Sequence, residues 1–216
     1  MNLEHKPTLL ADQVFEKLET EILSGTYSRG EVLTELRLVN DLGVSRTPIR
    51  EALRRLDQEH LVEIQPKGIV VIGISQKDLR DIFDIREYLE GKMTAETANR
   101  ITDEELRQLR ETLELQEFYM EKHDPDRIRA MDNQFHQLVC RFSGSTVFYD
   151  TLIPLHRKVQ KFRRLSLSNH EHATLSVFEH WEIYRALEAR DPVLAEQAAL
   201  RHAQHAKARV LKHQEE

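Results

Sequence analysis

Cysteine is nearly absent: Cys140 stands alone in 216 residues. A single thiol excludes an intrachain disulfide and fits a reducing compartment, so a cytoplasmic location is expected. No apolar run approaches membrane-spanning length, and the N-terminus lacks the apolar core of a signal peptide, so no membrane partner is expected. Internal repeats and low-complexity segments are missing too. So is any surplus of basic charge. The net charge is −6, and residues 1–74 hold 9 Lys and Arg against 12 Asp and Glu, a net of −3. A nucleic-acid binder with this balance must concentrate its positive charge locally. What is present, 40% hydrophobic and 31% charged residues, suits a soluble helix-rich protein with one large or two small domains.

One stretch organises the chain, Asp41 to Leu56. Gly43 supplies a permissive turn, Ser45 is a good N-cap, and Pro48 falls in the first helical turn, where a missing N–H is harmless. Ile49, Ala52, Leu53 and Leu56 recur at helical spacing as a buried stripe. Arg46, Thr47, Arg50 and Arg54 lie on the other side, and Arg55 and Lys67 add to the local positive charge. Upstream, Thr34–Leu42 is a short amphipathic helix, and the pair predicts a helix-turn-helix.

The pattern G-x-x-L-x-E-x-x-L-x-x-x-L-G-V-S-R-T-P-I-R-E-A-L-x-x-L, from Gly30 through Leu56, resembles the winged helix-turn-helix of the GntR family of bacterial transcription regulators. Leu61–Val71 resembles that family's wing, two short strands around the Pro66-Lys67-Gly68 tip. Two positions depart from the family pattern. Leu36 stands directly after the Glu of the second helix, where many members carry Arg, and the Arg follows at Arg37. His60 replaces the usual Gly before the wing. The resemblance implies DNA contacts from Arg37, Ser45, Arg46, Thr47 and Arg50, and from Lys67 and Gly68 in the wing.

Met1–Pro7 reads as a disordered tail, and Leu10–Leu23 as a helix closed by Ser24-Gly25. Period-two residues stop at Gly73-Ile74-Ser75, which sets domains of 1–74 and 75–216. The second half reads as six helices without strands. They run from Ser75 to about Asn99, from Thr102 to about Glu121, and from Asp124 to about Phe142. A fourth runs from Ser145 to about Ser168 and kinks at Pro154, a fifth covers Thr174–Ala189, and the last runs from Asp191 to Leu211. Short connections between amphipathic helices predict an antiparallel bundle, so the fold class is mainly α. This half resembles the FCD domain of the FadR subfamily through Arg86-x-x-Leu89-Glu90, Asp132-x-x-Phe135-His136, Glu179-His180-x-x-Ile183-x-x-Ala186-Leu187 and His202.

Asp132 and His136, four apart, point a carboxylate and an imidazole the same way from one helix, beside the stripe Ile128, Met131, Phe135, Leu138 and Phe142. His180 lies in an apolar row with Val177, Ile183, Tyr184 and Leu187. His202 is flanked by Ala195, Ala198, Ala199 and Ala206, and His205 is a competitor for its role. Three histidines and one aspartate suit a divalent ion, Zn first, with Ni or Mn as alternatives. Each histidine has a plainer reading as a hydrogen-bonded core residue, while metal-binding FCD domains carry ligands at all four positions. His5, His123, His170, His172 and His213 read as surface residues, and Phe178 and Trp181 as core. Arg86 sits on the apolar row Leu79, Ile82, Phe83, Leu89, Met93. It is either a structural ion pair with a bundle Glu or a clamp for an effector carboxylate. Arg163 and Arg164 are further candidates for that clamp, or else surface charges.

The expectation is a homodimeric DNA-binding regulator, of the repressor kind, on a palindromic double-stranded operator, controlled by a small organic acid beside the metal. A metal sensor with the ion as signal is one alternative. A metal-dependent enzyme is another, weakened because Glu179, adjoining His180, points roughly 100° away and leaves no evident general base.

Overall fold

The computed structural model describes residues 6–212, with side chains from Leu10 onward and Arg164 excepted. Of the tail expected over Met1–Pro7, Lys6 and Pro7 open the first helix, and the rest lies outside the described residues. The chain divides between Gln76 and Lys77 into two compact units.

In the first unit, helix α1 (Lys6–Ser24) buries Ala11, Val14, Phe15, Leu18 and Ile22 and packs on the helix Arg46–Gln58. Helix α2 (Glu35–Leu42) starts where the Thr34 hydroxyl accepts the Arg37 N–H, and ends at Gly43, whose left-handed backbone (φ 66°) turns the chain. Helix α3 (Arg46–Gln58) buries Pro48, Ile49, Ala52, Leu53 and Leu56, the stripe read from spacing. Strands β1 (Val32–Leu33), β2 (Val62–Gln65) and β3 (Gly68–Val71) form an antiparallel sheet in the order β1-β3-β2. β2 and β3 are the expected wing. β1 was not expected, because two residues are too short to show a period. His60 takes a left-handed backbone (φ 57°) where the family usually carries Gly.

The second unit has seven helices among the described residues: α4 (Gln76–Arg100), α5 (Asp103–Glu121), α6 (Pro125–Phe142), α7 (Thr146–Lys158), α8 (Gln160–Leu167), α9 (His170–Glu188) and α10 (Pro192–Lys212). A complete capping box at Thr102 and Glu105 starts α5, and Asp124 with Pro125 starts α6. The expected fourth helix is two: Pro154 stays inside α7, and the break falls at fully buried Val159. After that break α8 buries Arg163, Ser166 and Leu167. The apolar core joins Leu109, Leu113, Phe135, Val139, Leu152 and Leu187. Thr97 Oγ1 donates to the Val139 carbonyl at 3.0 Å and ties α4 to α6. The buried face of α6 is turned from the expected stripe: Asp132, Phe135, His136 and Val139 lie inside, while Met131 and Leu138 are half-buried. Phe178 is 55% exposed rather than core, whereas Trp181 packs against the core.

Candidate functional site

Two arrangements of side chains call for a chemical account. The first is the exposed side of α3. Ser45 stands at its N-cap with no hydrogen bond from its hydroxyl to the helix, and Arg46, Thr47 and Arg50 are exposed beside it. Arg50 Nε donates to Glu35 Oε1 at 2.8 Å, which ties α3 to α2 and leaves the outer guanidinium edge uncommitted in that pair. Arg37 pairs with Glu31 at 2.8 Å and Asp41 at 3.5 Å. Arg55 is spent inside the unit: it pairs with Asp12 and lies 4.1 Å from the Phe15 ring centroid, packing α3 on α1. It is not part of the open basic face. Lys67 is exposed between β2 and β3. Gly68 (φ 140°) has a structural demand, since a Cβ there would come within 2.8 Å of Val32 Cγ1 and 2.9 Å of the Leu33 carbonyl. Only glycine lets β1 close on β3.

The second arrangement is buried in the bundle. Helix α6 supplies Asp132 and His136, α9 supplies His180, and α10 supplies His202, all buried. Ligand nitrogens of His136, His180 and His202 lie within 4.8 Å of one another. The tautomers are set from outside the cluster. His180 Nδ1 faces Gln116 Oε1 at 2.9 Å, and since that amide oxygen only accepts, Nδ1 carries the proton. His180 Nε2 is then a bare lone pair, buried with no hydrogen-bond partner. His202 Nδ1 likewise donates to Glu179 Oε2 at 2.8 Å, leaving Nε2 as its acceptor. Histidines oriented this way suit metal ligation. Burial, with His202 next to it, pushes the His180 imidazole down to about 3, and burial with Arg163 nearby holds His136 well below its usual value. Neutral rings need lose no proton to bind a cation.

Asp132 departs from the expected four-ligand set. Its Oδ1 is 3.7 Å from His180 Nε2, but it is outside the close group of three nitrogens, and its Oδ2 accepts from Arg163 Nη1 at 2.8 Å. Arg163 is thus buried, not a surface charge; the side chain of Arg164 lies outside the description. Arg163 Nη2 donates to His156 Nδ1 at 2.8 Å, which puts the His156 proton on Nε2, 3.2 Å from Glu90 Oε1. Glu90 in turn accepts from Arg86 Nε at 2.6 Å. Burial alone would raise the Glu90 carboxyl, but Arg86 and His156 outweigh it and hold it ionised. Arg86 therefore has the structural pair, yet its Nη1 and Nη2 are buried without partners on the wall of a pocket shared with Asp132, His136, Arg163 and His202. That pocket gives a water-sized occupant about 20 Å³ for its centre, room for one.

His205 is no competitor. It is exposed and donates to Glu179 Oε1, which also accepts from Arg209. Of the expected surface histidines, His123 and His170 are exposed and His172 half-buried, while His5 and His213 lie outside the described residues. His156 was missed from the sequence, although it follows Leu152 and Ile153 at the spacing of a buried stripe. Gln116 and Glu179 were missed as orienting partners, because their role depends on contacts between helices.

A short helix, a tight turn and an exposed second helix beside a two-stranded wing make a winged helix-turn-helix, the class of unit with which regulators meet DNA. The comparisons agree: "Bacterial regulatory proteins, gntR family" matches residues 10–72, and "FCD domain" matches residues 81–205. The chain belongs to the GntR family, with an FCD domain as its second part. It is 28% identical to the HTH-type transcriptional repressor RspR of Escherichia coli K12, over 89% of this chain and 85% of that one. It is 30% identical to the gluconate operon transcriptional repressor of Bacillus licheniformis, over 72% and 70%. The fold is that of E. coli McbR/YncC, with a TM-score of 0.80 at 23% identity, covering 94% of this chain and 98% of that one. Among the described residues no helix is long and apolar enough to cross a membrane.

Proposed function

We propose that this regulator is a cytoplasmic homodimeric repressor on a palindromic operator, released or tightened by a small organic acid bound beside a divalent metal in the bundle. Asp132, His136, His180 and His202 would hold the ion, and Zn suits three imidazoles and a carboxylate, with Ni or Mn as alternatives. Bound there, the ion supplies an electrophilic anchor for a carboxylate. One observation carries the reading. His180 Nε2, a lone pair, and Arg86 Nη1 and Nη2, which carry four of a guanidinium's five N–H donors, are buried without partners in the same centre. Buried polar atoms are rarely left so, and the first asks for a cation while the second asks for an anion. Arg86 also favours an organic acid over the ion alone as the signal. In the first unit, Ser45, Arg46, Thr47 and Arg50 would meet base edges and phosphates at the start of α3, with Arg37, Lys67 and Gly68 flanking them.

The test is His180→Ala. Metal content by elemental analysis should fall and the bundle should lose thermal stability, while the operator is still bound without effector and the response to organic acids disappears. In wild type, an ion or acid at 100 times its dissociation constant should add about 2.7 kcal/mol of stability. A His180→Ala protein with full metal content and a normal response would sink the shared site.

A further inference from the structure

Arg163 occupies an odd place for a cation. It comes from α8, only eight residues long, which packs on α6, α9 and α10, the helices that carry Asp132, His136, His180 and His202. Both of its Nη nitrogens are engaged inside the bundle: Nη1 donates to Asp132 Oδ2 at 2.8 Å and Asn133 Oδ1 at 3.1 Å, and Nη2 to His156 Nδ1 at 2.8 Å. A lone buried carboxylate is costly, so the guanidinium does for Asp132 what a bound cation would do. Asp132, so paired, lies outside the group of three imidazole nitrogens that lie close together.

We infer that Arg163 is a displaceable internal counter-ion, which a divalent ion must release from Asp132 and which, once released, is free to pair with an incoming carboxylate. The inference rests on the metal reading above and adds an exchange to it. Two positive charges cannot share Asp132 cheaply: a divalent ion and a guanidinium a few ångströms apart repel by several kcal/mol even at an effective dielectric of about 20. Release of Arg163 leaves Asp132 with both oxygens for the cluster and frees His156 Nδ1. It also moves one wall of the pocket, which as it stands has room for one water-sized occupant. Site occupancy is thereby converted into a displacement of α8, a change that differs between the two states as control of a distant site requires.

The test uses full-length protein stripped with a chelator, titrated with Zn²⁺ against a chromophoric competitor. Arg163→Met should bind Zn²⁺ on the order of tenfold or more tightly than wild type. Arg163→Lys, which keeps the charge and loses the fork, should fall between them. Equal or weaker binding by Arg163→Met would overturn the inference, since an arginine that merely orients a ligating Asp132 must weaken the site when removed. Wild type that binds no Zn²⁺ would instead fail the metal reading itself. Hydrogen exchange on wild type keeps the question open to test should Arg163→Met not fold. Amides of residues 160–167 should exchange measurably differently with and without Zn²⁺, and identical exchange would overturn the inference.

Discussion

The two units each contain an arginine held to a glutamate through Nε, and the pairs behave oppositely. Arg50 and Glu35 meet at 2.8 Å with side chains 60% and 32% exposed; Arg86 and Glu90 meet at 2.6 Å with side chains 1% and 4% exposed. An exposed pair contributes roughly 0–1 kcal/mol and can exchange its partner for a phosphate or a base. A buried pair costs roughly 3–5 kcal/mol when one partner is removed, because a charge is left uncompensated. The Arg50–Glu35 pair is therefore built to trade contacts and the Arg86–Glu90 pair to keep them. Paired truncations sharpen this contrast most. Glu90→Ala should destabilise the bundle by about 3–5 kcal/mol, and Glu35→Ala should change stability by less than about 1 kcal/mol. Denaturant unfolding of both variants checks it; similar losses would break the comparison.

Acid should separate the units next. Burial, with Arg86 next to it, pushes His156 down to about 3, and burial with His202 does the same to His180. Below about pH 6.5 an unfolded histidine takes up a proton that these folded ones refuse until about pH 3, so stability falls as pH falls through that window. Glu90 and Glu179, held low by their cationic partners, add to the loss only below about 4.5, the ordinary carboxyl range. The unfolded rings titrate independently while the folded ones stay neutral, so each buried histidine contributes a slope of up to one proton, about 1.4 kcal/mol per pH unit. Chelator-treated protein should thus lose about 2 kcal/mol of bundle stability for each of these two histidines between pH 6.5 and 4.5. The only described histidine of the winged unit is exposed His60, and its unfolding should move less.

The same contrast explains what the sequence could reveal. The elements of the winged unit were legible because most of its candidate DNA-contacting side chains lie on one helix, next to the turn and stripe that define it. Its one surprise, β1, is too short to carry a pattern. In the bundle, spacing on α6 placed Asp132 and His136 on one buried face, and the apolar rows placed His180 and His202 inside. The partners that decide their chemistry come from other helices. Gln116 on α5 and Glu179 on α9 have no local signature, and His156 on α7 has only its helical spacing from Leu152 and Ile153. Arg163 had looked like a surface charge because the break at Val159, which turns α8 inward, leaves no Gly or Pro at that position.

Arg50→Ala tests whether the exposed pair is exchanged for DNA. With Nε on Glu35, its outer edge can read a guanine, so its loss should cost about 1–3 kcal/mol of operator binding and relax preference at one base pair. Wild-type affinity in a competition titration with base-substituted operators would show that α3 does not read the site.

Lys67→Ala is the smallest expected effect and separates the wing from α3. Lys67 is exposed at the turn between β2 and β3, and no ion pair to it occurs among the described residues. The first unit carries net negative charge, so each unpaired cation on its DNA side matters to attraction even where it reads no base. A lysine at that tip is a point charge on a flexible stem, suited to phosphate rather than to a base edge. Its removal should weaken operator and random DNA alike, by about 1 kcal/mol or less at moderate salt. The slope of log affinity against log salt should become shallower by about 0.9, the loss of one released counter-ion. Arg50→Ala should do the reverse, changing preference among sequences more than the slope. Salt titrations of both variants on operator and on random duplex separate the two roles. A Lys67→Ala protein that lost discrimination while keeping its salt slope would place sequence reading in the wing.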